Sequence, residues 1–358
     1  LPEISGGLFI MKIKDIGEFG LIQRIAALLP PLQAGTKLGI GDDCAVFEQS
    51  KEGKLGILTT DMLVEGVHYS RDFASPYEIG WRAMAGNLSD IAAMGGIPRL
   101  ALVSLGANDN TKINWVEELY KGMKDLAAIH KTDIAGGDTV TSNQGIINIV
   151  ILGEVEPAYA GYRSGARQGD ALVVTGDLGG SHAGLEILRR GLDLMPEIKA
   201  YPVERHLHPI PRLEAGRWIG AQPDHGALTD SSDGLARDLK NMADASNVGF
   251  KIELDKIPIH LSTRRVAELL DKKPVDFALQ GGEDYELVFT LPKKDLPLRL
   301  IELEIQTGVA ATIIGEVISP DQGILLQDSK GECHALSGFG FEHFSLESKV
   351  SLSYYLMN

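Results

Sequence analysis

Apolar residues recur at helical spacing over residues 16–29. Phe19, Ile22, Ile25, Ala26 and Leu29 share one face there, and Pro30-Pro31 stop the run. Beyond it, short apolar runs of strand length alternate with longer periodic stretches. The runs Ala45 to Glu48, Leu55 to Thr60, Leu100 to Leu105 and Ile146 to Leu152 predict strands. Ser75-Pro76-Tyr77-Glu78 is a capping box with proline at the first helical position. It predicts a helix that closes at Gly95-Gly96, with Pro98 just beyond. A second helix is predicted from Ile113 to His130. Glu154 to Gly161 contains Pro157 and no periodicity, which marks a domain boundary. After it come a strand at Asp170 to Thr175, a glycine-rich loop Gly176 to Gly184 and a helix Leu185 to Arg190. A helix over Ser232 to Ala245 follows, then strands at Tyr285 to Leu291 and Ala311 to Val317. Strands interleaved with helices in both halves predict an α/β fold of two domains with a site between them.

A chain of 358 residues has room for two hydrophobic cores. The formal net charge of −15 argues against nucleic acid, whose phosphates are gripped by fields of Lys and Arg. It does not argue against a nucleotide, because bound metal ions can supply the positive charge. Two cysteines, Cys44 and Cys333, give neither a disulfide framework nor a zinc spacing. No apolar run reaches about 18 residues, so no membrane span is expected. The first ten residues lack a secretion signal, and Met11 opens a more natural start, so a leader or disordered N-terminus over 1–15 and a cytoplasmic location are expected.

Six acidic motifs then change the picture. They are Gly41-Asp42-Asp43, Thr59-Thr60-Asp61, Asn87-Leu88-Ser89-Asp90, Gly136-Gly137-Asp138, Asp230-Ser231-Ser232-Asp233 and Gly281-Gly282-Glu283-Asp284. Carboxylates flanked by glycines and hydroxyls suit hard cations, because the backbone can come close and hydroxyls can join the shell. Each also has a plainer reading as a turn, a strand end or a helix cap. In an extended segment, Asp42 and Asp43 point to opposite sides, so one of them, Asp43, is expected to face the site. Asp90 falls in an apolar helical stretch, where an unpaired charge is costly. Asp230 and Asp233 read as the start of a helix, a place that also attracts phosphate. The loop Gly176 to Gly184 lacks the pattern of a phosphate-binding loop and is left out of the site.

The order and wording of these motifs, with Thr59-Thr60-Asp61-Met62-Leu63-Val64-Glu65-Gly66-Val67-His68 and Gly281 to Leu287, resemble the thiamine-monophosphate kinases. These enzymes belong to the aminoimidazole ribonucleotide synthetase-like superfamily. The resemblance runs from about residue 15 to the C-terminus. It implies a two-domain fold of that superfamily, with an N-terminal domain over 16–156 that binds ATP and metal and forms a homodimer. A C-terminal α/β domain over 157–358 would complete the site. It implies ATP-dependent phosphorylation of thiamine monophosphate, with several Mg²⁺ ions and no catalytic side chain beyond the metal ligands. Metal positions carry over to Asp43, Thr59, Thr60, Asp61, Asp90, Asp138, Asp230 and Asp233. ATP contacts carry over to Tyr120, Gly137, Asp138, Arg163 and Ser232. Substrate contacts carry over to His68, Glu283 and Phe341, where the family carries tyrosine. The rival readings are another ATP-using member of the superfamily, or a sensor of nucleotide or thiamine phosphate without turnover.

Overall fold

The computed structural model describes residues 20–23, 36–48 and 53–336. The chain divides into two compact units, Leu1–Pro31 with Glu342–Asn358, and Leu32–Phe341. In the first unit the described residues are 20–23, one helical turn inside the helix predicted over 16–29; the rest of that helix, and Phe341 in the second unit, lie outside the described residues. All that follows concerns the second unit.

Its first sheet has six strands: β1 (Thr36–Leu38), β2 (Ala45–Glu48), β3 (Leu55–Val64), β4 (Ile97–Ala107), β5 (Asp133–Thr141) and β6 (Ile146–Val155). The order is β1-β2-β3-β6-β4-β5, antiparallel except for the parallel pair β4–β5. Strict alternation of burial along β6 shows a sheet with one covered face. The covering helices are α1 (Pro76–Ala93) and α2 (Ile113–Ile129). The predicted capping box starts α1: Ser75 Oγ accepts from the Glu78 amide, and Glu78 Oε2 accepts from the Ser75 amide. Among the described residues no helix covers the other face of the sheet, which shows Leu58, Met62, Leu102 and Val140, each at least 40% exposed.

The second sheet has seven strands: β7 (Ala171–Thr175), β8 (Leu228–Asp230), β9 (Gly249–Glu253), β10 (Leu287–Leu291), β11 (Ala311–Ile318), β12 (Ile324–Gln327) and β13 (Cys333–Ala335). They lie in the order β13-β12-β9-β11-β7-β10-β8, with β9 and β12 parallel and the rest antiparallel. Around them run α3 (Gly180–Arg190), α4 (Pro196–Leu207), α5 (Leu213–Gly220), α6 (Leu235–Ser246), α7 (Leu261–Leu269), α8 (Pro274–Gln280) and α9 (Leu296–Thr307). Strand β7 is buried on both faces. Ala171 and Val173 enter one core with Ile57, Leu88, Ile149 and Phe289, while Leu172 and Val174 enter a second with Leu239 and Phe250. The first core therefore spans both sheets, and α1 lies inside it, buried nearly all round.

Two local readings change. Asp230 ends a strand, and the helix expected to begin there starts at Leu235, behind Gly234. Asp138 sits in mid-strand on β5, where a hairpin turn was the plainer expectation. Pairing with distant strands decides both.

Candidate active site

Three carboxylates meet at the seam between the sheets. Asp43 comes from the turn before β2, Asp90 from α1 and Asp230 from the end of β8, and an oxygen of each lies within 4.8 Å of the others. Hydroxyls hold them in place. Thr59 Oγ1 donates to Asp90 Oδ2 at 2.5 Å, Ser89 Oγ to Asp230 Oδ2 at 2.6 Å, and Thr229 Oγ1 to Asp43 at 3.2 Å. Arg163 Nη2 donates to Asp43 Oδ1 at 2.6 Å. Asp42 turns away and accepts from the amides of Asp43 and Arg163.

Asp61 stands beside this group. Its amide donates to Asn87 Oδ1 at 3.0 Å, and the Asn87 amide in turn donates to the Ala83 carbonyl, so α1 fixes both. Burial, then the charge of Asp43, pushes Asp230 up to about 8 and Asp42 up to about 7. Asp61 is open to solvent at the edge of the site, but the protein packed around it, then Asp43 and Glu283, push its carboxyl up to about 6. Burial, then the charges of Asp61, Asp230 and Asp43, push Asp90 well above the ordinary carboxylate range. Carboxylates this close cannot all ionise unless something positive joins them, and one Arg163 is too little. Asp230 Oδ1 is buried and has no hydrogen-bond partner among the described residues. An all-oxygen set with a buried lone pair left over fits a hard divalent cation.

Strand alternation separates Thr60 and Asp138 from this group. Thr60 Oγ1 donates to Asn148 Oδ1 at 3.1 Å. Asp138 is in register with Ser104, and through it with Asn148 and Met62, so it belongs to the bare face of the first sheet. Its Oδ1 accepts from the Thr139 amide. Gly137 lies against β4, where a Cβ would come within 1.7 Å of the Val103 carbonyl oxygen. Strand packing accounts for that glycine. Asp233 lies beyond the three-acid group, in the loop before α6, where its charge helps to raise Asp238. Ser232 offers its carbonyl to the Glu283 amide at 2.8 Å. Tyr120 is on α2, partly buried against the first core.

His68 and Glu283 converge on a residue the motifs did not flag. Arg82 Nη2 donates to the His68 carbonyl at 3.1 Å and to Glu283 Oε2 at 2.6 Å. Arg82, Ser89, Thr229 and Asn87 were absent from the predicted set. The reasoning applied to Asp90, a charge in an apolar helix, would have found Arg82. The rest of the Gly281 to Glu286 motif is architectural. Asp284 accepts from the amides of Gly179 and Ser181 at the start of α3. Glu286, itself fully buried, accepts from Arg205, Arg212 and Thr175.

The chain matches the AIR synthase related protein N-terminal domain over residues 41–155 and the C-terminal domain over 167–326. It is 38% identical over 284 residues to the thiamine-monophosphate kinase of Aquifex aeolicus, covering 79% of this chain and 89% of that protein. Against the thiamine-monophosphate kinase of Escherichia coli K12 it is 35% identical over 331 residues, 92% of this chain and 98% of that one. The solved structure of AaThiL complexed with AMPPCP and TMP superposes with a TM-score of 0.81 at 34% identity, covering 94% of this chain and 99% of that one. Escherichia coli HypE, a hydrogenase maturation protein, shares the fold at a TM-score of 0.67 and 23% identity, over 79% of this chain and 85% of its own.

Proposed function

This chain belongs to the thiamine-monophosphate kinases, within the AIR synthase related proteins, and from that premise we propose that it transfers the γ-phosphoryl group of ATP to thiamine monophosphate, giving thiamine diphosphate and ADP. The observation that carries this reading is the meeting of Asp43, Asp90 and Asp230 around a buried, unpartnered carboxylate oxygen. A relative bound to AMPPCP, an ATP analogue, and TMP supports it.

Both reactants are anions, so the barrier includes their mutual repulsion. Mg²⁺ held by Asp43, Asp90 and Asp230, with Asp61 beside them, would neutralise the phosphates and align them. The residues themselves do the placing. Thr59, Ser89 and Thr229 orient the carboxylates, and Arg163 balances part of the charge on Asp43. Arg163 and Ser232 form the nucleotide side of the proposal, and His68 and Glu283 the acceptor side; Gly137 and Asp138, set apart by strand packing and by the bare sheet face, and Tyr120, on the helix of the opposite face, stay outside it. A phosphate monoester has its second pKa at about 6, so the acceptor is ionised near neutrality and needs little help from a base. Transfer is direct, without a phosphoenzyme.

The bare face of the first sheet supports a homodimer. Leu58, Met62, Leu102 and Val140 form an apolar surface that a second copy would cover, and Thr60 and Asp138 lie on that same face. The N-terminal domain, 16–156, would then carry metal and dimer contacts, in a cytoplasmic enzyme. Among the described residues no helix is long and apolar enough to cross a membrane.

The deciding experiment is an ADP-release assay with thiamine monophosphate and with unphosphorylated thiamine. Release that depends on the monophosphate is expected; equal release with both, or with neither, rules the reading out. A chiral γ-phosphate should invert, and retention would point to a covalent intermediate.

A further inference from the structure

Arg82 is buried to 2% exposure, on the helix that lies between the two sheets. Its Nη2 spans two segments from different parts of the chain, the turn after β3 at the His68 carbonyl and the loop before β10 at Glu283 Oε2. Its Nε and Nη1 are buried and have no hydrogen-bond partner among the described residues. Burying a cation with donors unspent is a poor way merely to join two loops, since an apolar side chain of similar size would do so at less cost.

The loop it grips is strained. Glu283 and Tyr285, neither of them glycine, have φ of 64° and 51°. Their amides are pinned to the carbonyls of Ser232 and Ser231, next to Asp230. Strain of this kind persists where the surroundings over-determine the backbone, which is characteristic of ligand sites. Glu283 keeps its side chain 30% exposed, and both Arg82 and His206 approach the same oxygen, Oε2, the latter at 3.8 Å. Oε1 is engaged by neither.

Arg82, Gly86 and Asp90 recur every four residues along one side of α1. At 1.5 Å per residue, Arg82 stands about 12 Å along the axis from the acid cluster. One helix face thus carries the cluster at one end and the Glu283 grip at the other. We propose that Arg82 is a positioning residue for the acceptor: it sets where the Glu283 carboxylate and the His68 turn stand, and so where the cationic thiazolium ring of the acceptor is held. This inference rests on the kinase reading above.

The test is steady-state kinetics of Arg82→Met, Arg82→Lys and Glu283→Gln, each substrate varied with the other saturating. Arg82→Met should raise KM for thiamine monophosphate at least tenfold while KM for ATP stays within twofold. Arg82→Lys should recover part of that loss, and the Arg82→Met/Glu283→Gln pair should be no worse than the worse single variant. Acceptor KM within twofold of wild type, or equal rises for both substrates, overturns the inference. Should Arg82→Met fail to fold, Arg82→Lys and Glu283→Gln decide by the same selectivity for acceptor over ATP. Wild-type ADP release that ignores thiamine monophosphate overturns the kinase reading and this inference together. An active wild type with unselective variants overturns this inference alone.

Discussion

Ser89 on α1 donates its hydroxyl to Asp230 Oδ2 across 2.6 Å, and both residues are buried. A helix of the first sheet is thereby tied to the last-ordered strand of the second at the point where the acids meet. Ser89→Ala would leave both Asp230 carboxylate oxygens without a hydrogen-bond donor among the described residues. A loss of about 1–3 kcal/mol is expected, together with a several-fold weaker dependence on added Mg²⁺ at half-saturation. Denaturant titration and a magnesium titration of activity check the two halves.

Asp90→Asn removes one charge from the cluster while keeping the size and one acceptor oxygen. Turnover should fall about a hundredfold or more, and the fold should survive. Circular dichroism with the ADP-release assay tests this, and turnover near wild type at saturating Mg²⁺ would remove Asp90 from the ligand set.

The raised carboxylates make the metal-free protein sensitive to pH. Asp61, Asp42 and Asp230 are pushed to about 6, 7 and 8 from an ordinary value of 3.8. The folded state therefore holds these protons more tightly than the unfolded chain does. Their contribution is complete below about pH 4 and is lost as pH rises through the folded values. In chelator, Tm should fall between pH 5 and 8. Added Mg²⁺ should restore it, and by more at pH 8 than at pH 5, because the cation binds the ionised form. Scanning calorimetry across that range would show it, and a Tm that climbs in chelator contradicts the assignment.

Gly86 faces two groups at once. A Cβ there would come within 3.2 Å of both Asp61 Oδ2 and the Tyr285 hydroxyl. Alanine favours a helix over glycine by about 1 kcal/mol, so Gly86→Ala should not unfold the protein through propensity. Its expected signature is at least a tenfold loss of turnover with an unchanged or higher Tm.

Leu102, 42% exposed on the bare face of the first sheet, tests the assembly. Leu102→Arg should convert a dimer to a monomer in sedimentation equilibrium with little change in secondary structure. A wild type that sediments as a monomer at tens of micromolar removes the dimer from the proposal.

Local signals in the sequence carried much of the architecture. The Ser75 capping box placed the start of α1 to the residue, and the apolar run at Ala45 to Glu48 is β2 as predicted. Asp90 was found because a charge amid apolar neighbours is visible in one dimension, and Asp43 because an extended segment turns only one of two adjacent aspartates toward the site. The misses are non-local. Strand β5 is exposed along nearly its whole length and so has no apolar alternation to read. Pro202 lies inside α4 and looks like a breaker, though the helix continues past it. Arg82 finds Glu283 201 residues away, and Thr229 finds Asp43 186 residues away. No window along the chain holds both partners.

Asp284 plugs the amino end of α3 with its own side chain, filling the amides of Gly179 and Ser181. A helix end left open behind a glycine-rich loop would compete for any polyanion that reached it. Stoppered from within, it offers no such site, and on the proposed reading a triphosphate would be held at the acid-lined seam instead, through the cations gathered there.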